Sequence, residues 1–481
     1  MNYTTIEFYI FLIIVCLIYY LVGILFSGRF QWCVLLAGSI YFYYQVVKDN
    51  SSFIFLSLSI IVSYAGGLLC QKELRKPLKR VVFVLSIVLV VSPLLLIKLN
   101  GARISFKTNI IAPIGISYYT LQLIAYICDC YRKDVAAQTN LLKHVLFTIF
   151  FPHIIQGPIP KYERLREQLF SHHSYDSDLF MHGIQKIIYG FFLKLMIADK
   201  AAVFVNYVFD GKNVLVGGYI FIAAILYSFQ LYTDFYSCTL LSQGAALMFG
   251  ISLSENFKHP YFSLSIKDFW RRWHVSLSTW LRDYIYIPLG GGKRGKLRKY
   301  INIFITFSIS GLWHGNSMQF FVWGGMHALY QVIGECTKET KEKIYQKLGI
   351  RQNSVAYRVI RIVTTFSLVT IAWIIFRAKS LKAGLIMIRN VFGYYNPWTI
   401  FGVELFDAGL DYYDFDVLRT CIVALIGISY LQERGISLHK WLQEQHLVIR
   451  WCIYIIVIVS IWVFGTYGYG FNAQDFIYGG F

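Results

Sequence analysis

Charge is what this sequence has least of. Only 15% of its 481 residues are Asp, Glu, Lys or Arg, against about 25% in an average soluble protein. That shortage excludes an ordinary water-soluble chain, and the 57% hydrophobic content and mean hydropathy of +0.53 agree. No long polar block interrupts the apolar runs, so residues 1–481 read as one integral membrane domain. The nine cysteines include no CxxC pair. Cys128 and Cys130 form only a CxC, which gives neither zinc spacing nor a disulfide framework, and no metal centre is expected. Internal repeats and low-complexity segments are lacking too. The N-terminal apolar run, 8–26, has no basic leader and no small-residue cleavage site, so it reads as a retained first span.

What is present is aromatic (18%) and basic, with a net charge of +19. Nucleic acid is not the implied partner, because Lys and Arg cluster between apolar runs, as they do in cytoplasmic loops of membrane proteins. Apolar runs at 6–27, 30–47, 52–70 and 81–97 predict four spans, and the segment QKELRKPLKR before the last carries five basic residues against one acid. That loop is therefore cytoplasmic, as are 293–299 and 338–358, with both chain ends outside. A run at 110–128 contains Pro113 and Gly115 and predicts a bent or broken helix. Residues 143–159, with Pro152, His153, Gly157 and Pro158, predict irregular backbone enclosed by protein. Further spans are expected at 184–209, 215–236, 359–376, 417–431 and 449–467. In the polar loop 160–183, His173 and Asp178 fit an HxxxxD pattern, a cheap match in a stretch rich in both residue types.

The chain is organised around Ser265–His327. Phe269, Trp270, Trp273, Leu277, Trp280, Leu281 and Tyr284 recur at helical spacing, while Lys267, Asp268, Arg271, Arg272, Arg282 and Asp283 intervene. This predicts an amphipathic helix at the membrane boundary. Next, Ile301–Leu312 is apolar for twelve residues before Trp313-His314-Gly315. Spanning needs about twenty apolar residues, so His314 falls within the membrane thickness, where an ionisable group marks a candidate functional site. Gly290, Gly291 and Gly292 beside Lys293 and Arg294 predict a flexible basic loop without a nucleotide-binding pattern.

The stretches WRRWHVSLSTWLRDYIYIPLGG and SGLWHG resemble the membrane-bound O-acyltransferase family, in the alginate O-acetyltransferase-like and D-alanyl transfer protein-like branch. GISYYTLQLIAYICDCYR at 115–132 and FFPHIIQGPI at 150–159 extend the likeness. The resemblance implies an all-α polytopic protein of about 11–13 transmembrane helices, with re-entrant and interfacial helices around a central acyl-transfer tunnel. Its core motifs would lie in 230–330. One departure stands out: in YTDFYSCTL at 232–240, Tyr232, Asp234 and Phe235 match relatives, but Leu240 replaces a second acid.

Acyl transfer to a hydroxyl needs a base, a hold on the acyl carbonyl and exclusion of water. His314 is the expected catalytic base, although a lone buried histidine is more often structural. The resemblance makes His274 a second catalytic group that polarises the carbonyl or orients the acceptor. Arg271, Arg272 and Arg282 either bind the phosphates of coenzyme A or anchor the element to lipid headgroups. His327 reads as a supporting core group. The terminal FIYGGF, in an aromatic tail at 471–481, resembles an FIYxxF ending that makes Tyr478 a candidate acyl relay. Otherwise the tail is an interfacial anchor.

The expected function is transfer of an acyl group, acetyl above all, from cytosolic acetyl-CoA or another thioester, such as an acyl carrier protein, to an extracellular polysaccharide or wall polymer. No bound cofactor is expected. An extracellular acyltransferase or esterase-like partner would complete the transfer, at a multi-pass protein of the cell membrane. D-alanyl transfer to teichoic acid from a carrier protein is the alternative; a transporter of lipid-linked sugar and an inactive scaffold are rivals of other classes.

Overall fold

The computed structural model describes residues 1–47, 50–100, 113–211, 217–394 and 409–467, with a few positions between 394 and 409. Among the described residues every regular element is helical. The chain divides into two compact units: Met1–Gly190 with Cys238–Glu255, and Phe191–Ser237 with the described residues from Asn256 onward.

In the first unit, α1 (Ile6–Leu25) buries Phe8, Phe11, Leu12, Val15, Cys16 and Tyr19, while Ile6, Ile10, Ile13 and Leu17 lie exposed. A helix apolar on both its packed and its open face suits lipid rather than water. Its rings meet α2 (Gln31–Val46) and the segment after α6 (Leu141–Ile149) in an aromatic cluster of Phe8, Phe11, Phe42 and Phe151. The Tyr3 hydroxyl completes the joint at the carbonyls of Phe151 and Pro152, at 2.7 and 3.0 Å.

Helices α3 (Asn50–Gln71), α4 (Lys76–Asn100) and α5 (Ile116–Arg132) pack together. The run at 110–128 was expected to be bent or broken; residues 110–112 lie outside the described ones, and α5 begins only after Gly115, which adopts φ +77°. A Cβ there would stand 2.2 Å from the Ile154 carbonyl oxygen, so this start needs glycine. The non-helical stretch expected at 143–159 is shorter than its composition suggests. Asn140 caps α6 by accepting from Lys143 N–H, and regular helix lasts to Ile149. Helices α7 (Tyr162–Leu169) and α8 (Ser177–Phe191) follow. His173 between them bonds the Gln168 carbonyl at 2.7 Å and Ser171 at 3.1 Å, which gives the HxxxxD histidine a structural explanation.

The second unit starts with a π-helical run, Phe192–Ala198, that continues without a break into α9 (Asp199–Asp210), along the span the apolar pattern predicts. A buried ion triad sits on it. Lys194 Nζ stands 2.9 Å from Asp199 and 2.7 Å from Asp234 of α10 (Gly218–Leu247), and all three side chains are at most 5% exposed. One carboxylate of the YTDF motif is thus a structural ion-pair partner.

Helices α11 (Ile266–Arg272), α12 (Val275–Leu281), α13 (Lys296–His314), α14 (Met318–Cys336), α15 (Lys338–Lys347), α16 (Val355–Arg377), α17 (Leu381–Gly393), α18 (Tyr412–Glu433), α19 (Leu438–Gln443) and α20 (Leu447–Phe464) complete the unit. Five helices in the described residues are long and apolar enough to cross a bilayer unaided: α1, most of α3 and α4, α16 and α20. Others are too short or too polar for that test. Helix α5, for example, has seventeen residues and buries nearly all of them, Gln122 and Asp129 included. Polar groups inside protein are not exposed to lipid, so such helices need not be uniformly apolar.

Candidate active site

The predicted amphipathic helix is two short ones with a break at Trp273-His274. Ser265 starts α11 by accepting from Asp268 N–H at 3.1 Å. His274 then takes φ 44°, ψ 56°, a left-handed conformation unfavourable for a side-chain-bearing residue. Asn256 compensates: its carbonyl accepts from Val275 N–H at 3.0 Å and its Oδ1 from Ser276 N–H at 3.2 Å. The turn sets the His274 ring nearly perpendicular to Phe235, 4.7 Å between centroids, and near Trp313, 6.1 Å away. The ring is 1% exposed, and neither nitrogen has a hydrogen-bond partner among the described residues. Burial pushes its pKa down to about 3, so it is a neutral imidazole with one N–H to offer.

His314 is the last residue of α13. From Ile301 the helix rises about 20 Å to reach it, less than the ~30 Å of a bilayer core. Its place is set by backbone packing against α14. A Cβ on Gly311 would lie 2.2 Å from the Phe320 carbonyl oxygen, and one on Gly324 2.2 Å from that of Phe307. No other residue permits so close an approach at those two positions. His314 is 2% exposed, with Trp313, Trp323 and Phe376 ring centroids at 4.8, 5.2 and 5.4 Å. The two candidate histidines therefore share one indole, Trp313. The carbonyl end of α13 also favours positive charge developing on the His314 ring.

His327, one helical turn after Trp323, is fully buried and accepts from Trp270 Nε1 at 3.2 Å through Nδ1. It is thereby the fixing point of an indole that walls a cavity of about 990 Å³. Arg271 and Arg282 line this cavity with Lys267, Lys299, Lys338 and Arg361, and Trp270, Leu281 and Ser310 form its buried side. Arg272 is not part of the lining: it pairs with Asp268 at 3.1 Å and Glu433 at 2.7 Å. Among the described residues neither His274 nor His314 lines the cavity, although Val275 and Ser310 beside them do. The glycine loop is pinned rather than loose, since buried Asn302 donates to the Gly291 carbonyl at 2.9 Å. Tyr478 lies outside the described residues.

Sequence reasoning missed two of these arrangements. The Asp268–Arg272 pair was readable from its i,i+4 spacing on a helix. The bond between Trp270 and His327, 57 residues apart, carried no local signal.

His314 at the end of α13 and the buried His274 share Trp313 as a neighbour, near a cavity rich in basic side chains, an arrangement suited to acyl transfer. The chain belongs to the membrane-bound O-acyltransferase family, whose model matches residues 132–339, and it is an O-acyltransferase. A probable alginate O-acetylase of Pseudomonas fluorescens is 35% identical over 82% of this chain and 75% of its own length. The peptidoglycan O-acetyltransferase of Helicobacter pylori is 30% identical over 70% and 69%. The teichoic acid D-alanyltransferase of Bacillus subtilis is 31% identical over 56% and 70%.

Proposed function

We propose that this chain, in the cell membrane, takes an acetyl group from a cytosolic thioester and passes it outward for O-acylation of an extracellular polysaccharide or wall polymer. The observation that carries the reading is the convergence of His314 and His274 on Trp313, near a cavity in whose lining basic side chains outnumber Glu335 and Glu342. In the reaction, His314 takes the proton of the attacking hydroxyl as its oxygen bonds the thioester carbonyl carbon. The C–S bond then breaks, and the departing thiolate recovers that proton from the imidazolium. His274, being neutral, contributes a hydrogen bond to the carbonyl oxygen as negative charge gathers there. The surrounding rings exclude the water that would hydrolyse the thioester.

Arg271 and Arg282 hold the phosphates of acetyl-CoA on this reading, while Arg272 stays in its ion pairs. Tyr478 supplies the first accepting hydroxyl, and an extracellular esterase-like partner moves the acetyl group onward. Coenzyme A is too highly charged to cross the bilayer, whereas an acylated tail can be presented outside. D-alanyl transfer from a carrier protein is the second reading, favoured by the teichoic acid relative.

Thiol release from acetyl-CoA by purified protein, together with polymer acetylation in cells, tests the scheme. His314→Ala should lower release by about 10²–10⁴ at normal abundance, and Tyr478→Phe should abolish polymer acetylation. Near-normal activity of the first variant would remove His314 as base; wild-type acetylation by the second would leave the tail an anchor.

A further inference from the structure

Ser310 lies one turn before His314 on α13 and is fully buried, yet it lines the basic cavity. A serine or threonine within a helix usually satisfies its hydroxyl on the carbonyl four residues earlier. Thr306 on the same helix does so, donating to the Asn302 carbonyl at 2.7 Å. Ser310 does not: among the described residues its Oγ has no hydrogen-bond partner at all. A buried hydroxyl left in that state costs stability, which is tolerable where something transient completes it. The cavity's own gradient says what that is. Lys267, Arg271 and Arg282 are exposed, Glu335 and Glu342 at the same wall pair with Lys299 and Lys338, and Trp270, Leu281 and Ser310 are buried. A ligand charged at one end and neutral at the other would lie with its neutral arm inward, against the buried wall that Ser310 forms with Trp270 and Leu281.

We propose that Ser310 is a donor-binding residue whose Oγ–H donates to a carbonyl oxygen on the neutral arm of the acyl thioester. This rests on the reading of the cavity as the donor site. Residues four apart on a helix are neighbours, about 5–6 Å between Cβ atoms. The contact therefore registers the thioester within a turn of His314, and no covalent step passes through Ser310.

The experiment measures acetyl-CoA affinity by calorimetry, kcat and KM, and thermal unfolding without donor, on purified wild type and Ser310→Ala. Ser310→Ala should bind acetyl-CoA roughly tenfold more weakly, with KM raised and kcat little changed. Its donor-free unfolding temperature should equal or exceed that of wild type, because an unsatisfied buried hydroxyl is gone. A packing role moves affinity and stability down together; a binding role moves them apart. Unchanged affinity in Ser310→Ala, or lowered stability with a loss confined to kcat, would overturn the assignment while leaving the cavity as donor site. If wild type itself fails to bind acetyl-CoA, the donor-site reading falls and this inference with it.

Discussion

Two buried polar regions of the second unit are built on opposite terms. Around Lys194, three charges are out of solvent, and each has a partner within 2.9 Å. Around His274 and Ser310 the groups are neutral and have no hydrogen-bond partner among the described residues, with the His274 ring against Phe235. The first arrangement is complete without a ligand and fixes the π-helical run against α10. The second is incomplete as it stands, which suits a site that must accept a substrate's hydrogen-bonding groups. Burial alone therefore does not distinguish these two regions; hydrogen-bond satisfaction within each does.

The comparison breaks most sharply at the lysine. Lys194→Met leaves Asp199 and Asp234 facing one another without a cation, a change expected to cost about 3–5 kcal/mol. Low abundance and an early thermal transition in detergent would be seen; a variant as stable as wild type would show that the triad is not structural. His274 should respond in the other currency. His274→Leu keeps a side chain of similar bulk but removes the N–H, so transfer should fall about 10²–10³-fold with unfolding nearly unchanged. His274→Asn, which tolerates the left-handed backbone and keeps a donor, should recover much of that rate; equal loss in both would disprove the hydrogen-bonding role. His327 sits between the two classes, with one nitrogen engaged. His327→Leu strands the Trp270 N–H at about 1–3 kcal/mol, and His327→Asn, which restores an acceptor, should lose less. Melting curves that do not separate these variants would remove the bond from the account.

The sequence carried the membrane class, the helical fold and the family, because those depend on composition and on long local motifs. It also marked His314 as a candidate, since a twelve-residue apolar run ending in Trp-His-Gly is visible in one dimension. The break at His274 was hidden: no glycine or proline marks it, and the amphipathic pattern runs straight through. The π-helical run was hidden for the opposite reason, as Lys194 reads as one charge in an apolar span until Asp234 arrives from forty residues away. The division into two units was equally silent, with no polar linker to announce it. Ser310 looked like any small residue in a membrane helix. Only its missing backbone bond, beside a threonine that makes one, singles it out.

The glycine-lined contact between α13 and α14 bears on how the protein is made. The two helices are joined by only three residues, Gly315–Ser317, so they meet with almost no loop-closure cost. Such local hairpins form early, while chains emerge N-terminal first at about 5–20 residues per second. By the time Cys336 has left the ribosome, His314, Trp323 and His327 can already share one rigid pair of helices. Phe376 on α16 comes later and packs its ring against His314 and Trp323. The nascent chain thus sets the surroundings of His314 on two helices before the third that buries it has been made.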